Sequence, residues 1–193
     1  MTQNKNNRKA QDKPRLPLTV TRPELIINGS DDSFRELVHA SLAFASRLQS
    51  VREGYAEIIG LTGPQYTILI SVGHLHNHGK LGVKKLAEHL CQSGTFVTTE
   101  VNKLVSAGLV RKDKDKNDGR RVNLTTTKKA QSLLSKLSKI QQEVNDVHFG
   151  NLSAEEFSSL RKIMFELVSS TDLALSLLRH LGAAHKLNLG NDE

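Results

Sequence analysis

Apolar and polar positions alternate with a helical period over most of this chain. The first 31 residues are the exception: they are polar, hold Pro14, Pro17 and Pro23, and show no sustained period, so they are expected to form a flexible basic arm with order only near Leu25–Ile27. From Asp32, residues Phe34, Leu37, Val38, Leu42, Ala45, Leu48, Tyr55 and Ile58 keep to one broad face, with a capping-box spacing at Ser33 and Glu36 and a stop at Gly60. Thr62-Gly-Pro-Gln65 predicts a second capped start and a helix to about His76. A short helix over residues 83–90 follows the His78–Gly82 loop. After Cys91-Gln92, Ser93 is the expected N-cap of a further helix that ends at Gly108.

Two short β-prone runs, 109–111 and 120–125, flank a charged tip from Lys112 to Gly119 and predict a hairpin. Leu133, Leu137, Ile140, Val144 and Val147 then recur at spacings of four and three. Ser153 and Glu156 open a last helix whose seam runs from Phe157 through Leu160, Met164 and Leu167 to Leu181, with a frayed tail expected over 183–193. The order of short helix, turn, second helix and charged hairpin is that of a winged helix-turn-helix. The predicted fold class is therefore mainly α with a small β-wing. A DNA-binding lobe over 63–124 is mounted on an intertwined helical dimerisation region, 32–62 and 125–182.

Composition sharpens this picture. Aromatics are only 4% of the residues, which suits a helical core of Leu, Val, Ile and Ala. No run approaches the roughly 20 apolar residues of a membrane span, the polar basic N-terminus does not resemble a signal peptide, and Cys91 is the sole cysteine, so a cytoplasmic setting is expected. Residues 80–129 carry twelve Lys/Arg against five Asp/Glu, and residues 1–24 carry six against two, while the rest of the chain is mildly acidic. Such a distribution fits a polyanion-binding module on a neutral scaffold.

Within the predicted second helix of the motif, Val97, Val101 and Leu104 form the stripe to be buried. Thr95, Thr98, Thr99 and Lys103 are left to face DNA, and Ser93 lies where backbone N–H groups can meet a phosphate. Arg120 and Arg121 near the hairpin tip suit an adjacent minor groove. No Gly-x-Ser-x-Gly, P-loop or dinucleotide fingerprint is present, so neither an enzyme nor a cofactor is expected. His74 and His78 share a face, but two histidines without a third donor do not predict a metal. Cys91 is read as a buried packing thiol in preference to a redox-sensing one, which its sequence context leaves open.

The segments LTGPQYTILISV, LGVKKLAEHL, SGTFVTTEVNKLVSAGLVRK and DGRRVNLT resemble the multiple-antibiotic-resistance regulator (MarR) family. Asp118-Gly119-Arg120 matches the family's Asp-x-Arg wing signature. The resemblance implies that Arg120 enters the minor groove and that Asp118 orients it. It further implies a homodimer built through the first and last two helices, and a double-stranded pseudo-palindromic operator. The implied effector is a small aromatic or phenolic acid, or its acyl-CoA thioester, in a crevice to which His39, Arg47 and Tyr66 would contribute. The expected function is a ligand-released repressor. The alternative is an effector-independent architectural DNA binder or a protein-docking winged helix. Lys128 departs from the family, which usually has Gly in the run after the wing, and the long basic arm has no counterpart in it.

Overall fold

The computed structural model describes residues 16–76, 79–114 and 122–189. Six helices and one hairpin follow the predicted order: α1 (Asp32–Ile58), α2 (Gly63–His76), α3 (Val83–His89), α4 (Gly94–Ser106), β1 (Val110–Lys114), β2 (Val122–Thr126), α5 (Lys128–Phe149) and α6 (Ala154–Leu189). The chain divides into two compact units between Leu133 and Leu134, inside α5.

The first unit is organised on α2. This helix is apolar on nearly every side, and Tyr66, Ile68, Leu69 and Val72 are all buried, as a helix without a polar face must be. Against it pack α1, α3, α4 and β2. Only Tyr55 and Ala56 of α1 are buried, while Leu37, Val38 and Leu42 remain exposed, so the expected apolar face of α1 is used only at its C-terminal end.

Local signals set the ends of these elements. Both halves of the box form at Thr62: its N–H donates to Gln65 Oε1 at 3.2 Å and its Oγ1 accepts from the Gln65 N–H at 3.4 Å. Ser153 and Glu156 do the same for α6, at 2.8 and 3.2 Å, and these bonds lower the pKa of Glu156. The predicted box at Ser33 does not form. Helix α1 nevertheless begins at Asp32, as expected, where the Ser30 hydroxyl accepts from the Asp32 N–H at 3.1 Å.

Helices α1, α3 and α4 stop in one way, with a residue in the left-handed region and a pair of backbone bonds folded back over the last turn. At α1 and α4 that residue is Gly60 or Gly108, as predicted. At α3 it is Cys91, with φ of 51°, whose N–H donates to Glu88 O while the Gln92 N–H donates to Ala87 O. A side chain here is strained by about 1–2 kcal/mol. Cys91 is exposed, which corrects its reading as a packing thiol.

The hairpin pairs antiparallel from Val110 against Thr126 to Lys114 against Val122. It is tied to the loop before α3: the Leu124 N–H donates to Leu81 O at 2.8 Å, and the Leu81 N–H donates to Asn123 Oδ1 at 2.9 Å. Gly82 permits this approach, since a Cβ there would lie 3.4 Å from Val122 O.

Two expectations about the termini change. Residues 16–31 are ordered, not a loose arm. Pro23–Leu25 forms a turn of 3-10 helix, Ile27 and Ser30 bridge around Asn28-Gly29, and a clasp at Asp31 closes the segment onto α1. Asp31 Oδ2 accepts from both the N–H and the hydroxyl of Thr19, at 2.8 and 2.7 Å. Its Oδ1 accepts from Arg35 Nε at 3.0 Å, and Arg35 in turn donates to Pro17 O at 2.7 Å. A single carboxylate gathering three donors makes the order, a device invisible to hydrophobic period. At the other end α6 runs to Leu189, beyond the expected fraying point, because Gly182 is followed by good helix formers and adopts no left-handed stop. In the second unit, the predicted seam of α6 lies exposed at Phe157, Leu160, Met164, Leu167, Leu178 and Leu181.

Replacing Cys91 with glycine relieves the left-handed strain, and Cys91→Gly is expected to raise stability by about 1 kcal/mol in urea denaturation; a loss of stability would show that the thiol makes a compensating contact. The Asp31 clasp has its own signature in acid. The Arg35 bond first, then the two from Thr19, hold the Asp31 carboxyl well below the usual carboxylate range. Its contribution is therefore complete above the unfolded carboxyl's pKa of about 4 and is lost as pH falls toward the folded value. Asp31→Asn is expected to lower stability at neutral pH and to flatten the acid limb of a pH–stability curve; parallel limbs would remove the clasp from acid unfolding.

Candidate nucleic-acid interface

The buried side of α4 fixes what its other side shows. Val97, Val101 and Leu104 are at most 1% exposed, as the predicted stripe requires. Rotation about the helix axis then leaves Thr95, Thr99, Asn102 and Lys103 exposed and Thr98 half-buried. Ser93 caps the helix, its Oγ accepting from the Phe96 N–H at 3.2 Å, so its own hydroxyl proton points away from the helix bonding. Thr98 donates to Gly94 O at 2.7 Å and Thr99 to Thr95 O at 3.0 Å. With their protons turned back into the helix, these threonines offer methyl groups and acceptor lone pairs outward. That surface matches a thymine methyl or a base amino group.

Glu100 lies inward with the stripe. One carboxylate oxygen accepts from Gln65 Nε2 at 3.2 Å and the other from Lys103 Nζ at 2.7 Å. Gln65 is also half of the α2 capping box, so a continuous set of hydrogen bonds joins the α1–α2 corner to a cation on the exposed face of α4. Sequence reasoning missed Glu100, although its place three residues after Val97 put it beside the buried stripe. The second role of Gln65 left no mark in the local pattern.

The far end of α4 is fastened as firmly. Thr127 donates from Oγ1 to Gly108 O at 2.7 Å and accepts from the Ala130 N–H at 3.2 Å, while Lys129 Nζ donates to Ala107 O at 2.8 Å. A cation on the C-terminal carbonyls also suits the helix dipole. Lys128, the departure from the family run, is exposed in the first turn of α5 and disturbs none of this. On the hairpin, Arg111 pairs with Asp113 at 2.8 Å, and Lys112 Nζ donates to Asn102 Oδ1 of α4. Asp118, Arg120 and Arg121 lie outside the described residues, as does His78.

The three residues expected in an effector crevice have different surroundings. His39 and Arg47 are exposed on α1, and Arg47 donates to Ala43 O. Tyr66 is buried, edge-on to Tyr55 with the Arg52 guanidinium 5.3 Å from its ring centre. None of the three lines the cavity found beside α4. Among the described residues no cluster of three or more His, Cys, Asp or Glu is arranged to hold a metal, and no helix is long and apolar enough to cross a membrane.

Residues 61–122, the span of α2 through the start of β2, match the family model described as MarR family. Over this span the chain is similar to the MarR family. The uncharacterized HTH-type transcriptional regulator YwhA of Bacillus subtilis (strain 168) is 25% identical over 93 residues, which are 48% of this chain and 67% of YwhA. Among solved structures, a putative MarR family transcriptional regulator from Listeria monocytogenes, complexed with a 26mer DNA, superposes with a TM-score of 0.60 at 19% identity, over 69% of this chain and 87% of that one. A MarR transcriptional regulator from Methanosarcina mazei Go1 gives 0.57 at 21% identity, over 70% and 99%. These likenesses show the winged helix-turn-helix fold. YwhA and both of these neighbours are named as transcriptional regulators, and the Listeria monocytogenes protein is the one described with DNA.

The bond between Gln65 and Glu100 is testable by a double-mutant cycle. Gln65→Ala and Glu100→Ala are expected to be non-additive in stability by about 1–2 kcal/mol, since each single change strands a polar partner. Additive losses would show that the two side chains act independently.

Proposed function

We propose that this protein is a ligand-responsive repressor that binds a pseudo-palindromic DNA operator as a homodimer. The observation that carries the reading is α4 itself: a helix pinned at both ends, presenting Thr95, Thr99 and Lys103 from within the most basic segment of the chain. Two such helices, related by a two-fold axis, would enter successive major grooves roughly one helical turn apart, with Ser93 at a phosphate. Asp118, Arg120 and Arg121 would add the wing's contact in the minor groove, as the family resemblance implies.

The α6 surface supports a homodimer. A 36-residue helix exposing a repeated row of Phe, Leu, Ile and Met is more apolar than a solvent-facing helix can be without a partner. Repression follows from occupancy of the operator. A ligand that favours a conformation mismatched to DNA lowers affinity by its differential binding to the two states and by no more. The aromatic acid or CoA thioester implied by the resemblance needs a cation at its site, and the grouping of His39, Arg47 and Tyr66 does not supply a shared one.

Fluorescence anisotropy on the promoter of the protein's own gene, against random DNA and across salt concentrations, tests the reading, with the mass by ultracentrifugation expected at twice 21.3 kDa. Lys103→Ala is expected to weaken binding to all sequences alike and to reduce the salt slope by about 1. Arg120→Ala is expected to weaken operator binding with the dimer intact. Wild-type binding that is steep in salt but indifferent to sequence would leave only a basic DNA-coating protein.

A further inference from the structure

A cavity of about 470 Å3 opens inside the first unit, between the middle of α1, the start of α2 and the start of α4. This is the size range of pockets that hold small molecules. Pro64, Ile68, Leu90 and Phe96 supply apolar walls, and Gln49, Thr67 and Gln92 supply the polar groups. Among the described residues no charged side chain lines it. The two charged residues nearest in the hydrogen bonding, Glu53 and Arg52, stand one layer back: Gln49 Nε2 donates to Glu53 Oε1 at 3.2 Å, and Arg52 donates to Thr67 Oγ1 at 3.3 Å. Those bonds also orient the lining groups. Gln49 is left with its carbonyl oxygen as acceptor, and Thr67 with its hydroxyl proton as donor.

We infer that this cavity is a binding site for an uncharged, flat, largely apolar small molecule carrying one or two hydrogen-bonding groups, and that its occupancy acts on α4. An ionised acid would meet no cation in the lining itself, because the nearest guanidinium, that of Arg52, is held behind it on Thr67 and the Tyr66 ring, and its lost hydration would be made good only in part. A neutral ring meets the Phe96 face and the Leu90 and Ile68 side chains, with a hydroxyl or amide placed between Gln49 and Thr67. The mechanical link is short. Phe96 is the residue whose N–H is held by the Ser93 cap, and Glu100, one turn on, is bonded to Gln65, the neighbour of Pro64. A ligand seated against Phe96 and Pro64 therefore bears on both walls of the joint that aims the recognition helix. The inference of an effect on DNA rests on the repressor reading; the binding site itself does not.

Naphthol and the acid of the same ring system, naphthoate, separate the alternatives by equilibrium dialysis with the full chain. Naphthol is expected to bind one per chain and at least about tenfold tighter than naphthoate. Thr67→Phe, which fills the cavity from α2, and Gln92→Trp, which fills it from the exposed turn and does not depend on core repacking, are each expected to lose about tenfold or more, with helical content retained by circular dichroism. Equal or tighter binding of naphthoate, no naphthol binding at millimolar concentration, or unchanged affinity in both variants would overturn the site. Anisotropy on operator DNA is measured separately, with and without naphthol. Naphthol is expected to shift the DNA affinity of the wild type and not of Gln92→Trp. Bound naphthol with no shift overturns the coupling to α4, whereas naphthol binding by a protein that ignores DNA sequence keeps the site and removes the repressor reading.

Discussion

Burial of Val97, Val101 and Leu104 against the apolar helix α2 is the constraint on which the functional surface depends. A helix turns by 100° per residue, so once three side chains of α4 are fixed inward the direction of every other one is determined. Thr95, Thr99 and Lys103 face outward for that reason alone. Packing, however, sets only rotation. Position along the axis and tilt come from the polar ties at the ends and the middle: Ser93 at the start, Glu100 to Gln65 at mid-length, and Thr127 and Lys129 on the last carbonyls. Apolar contacts tolerate sliding far better than hydrogen bonds do, because bonds lose most of their strength within a few tenths of an ångström and a few tens of degrees. Helix α4, the recognition helix of the proposed reading, is thus held by directional contacts at three heights.

Much of this was legible in the residues because the determinants are local. A Ser or Thr three residues before a Gln or Glu announces a capped start, and the boxes at Thr62 and Ser153 form as written. Gly60 and Gly108 announce left-handed stops and provide them. What stayed hidden depends on partners distant in the chain or on a residue accepting a conformation it does not favour. Asp31 meets Thr19 and Arg35 across an intervening turn, and nothing in the period of residues 16–31 reveals it. Cys91 occupies a place where glycine is usual, so its exposure could not be read from its apolar character. Ser33 and Glu36 have the spacing of a capping box, but Asp31 and Ser30 supply an earlier start, and a helix needs only one.

The candidate site divides along the same line. The exposed face of α4 follows from its hydrophobic stripe, and the sequence contained it in full. Glu100 is different, since a carboxylate beside a buried stripe reads as an irregularity until the partner that justifies it is known. Gln65, thirty-five positions away, is that partner. The grouping of His39, Arg47 and Tyr66 came from a resemblance and not from spacing, and the structure sends Tyr66 into the core beside Tyr55 while the other two stay in solvent.

Thr98 and Thr99 show how the helix can be selective while offering few donors. Both hydroxyl protons are spent on the carbonyls four residues earlier, so neither can donate to a guanine or thymine oxygen without first breaking a helical bond. The surface that remains is methyl and lone pair, and it favours bases that present a methyl or an amino group over those that present only acceptors. Positive charge from Lys103 and from the surrounding basic segment acts on any phosphate and carries no such preference. On the proposed reading, affinity and selectivity would therefore be drawn from different residues of one helix, and a movement of its N-terminal turn at Ser93 and Phe96 would disturb the base-facing groups while leaving the lysine tied to Glu100.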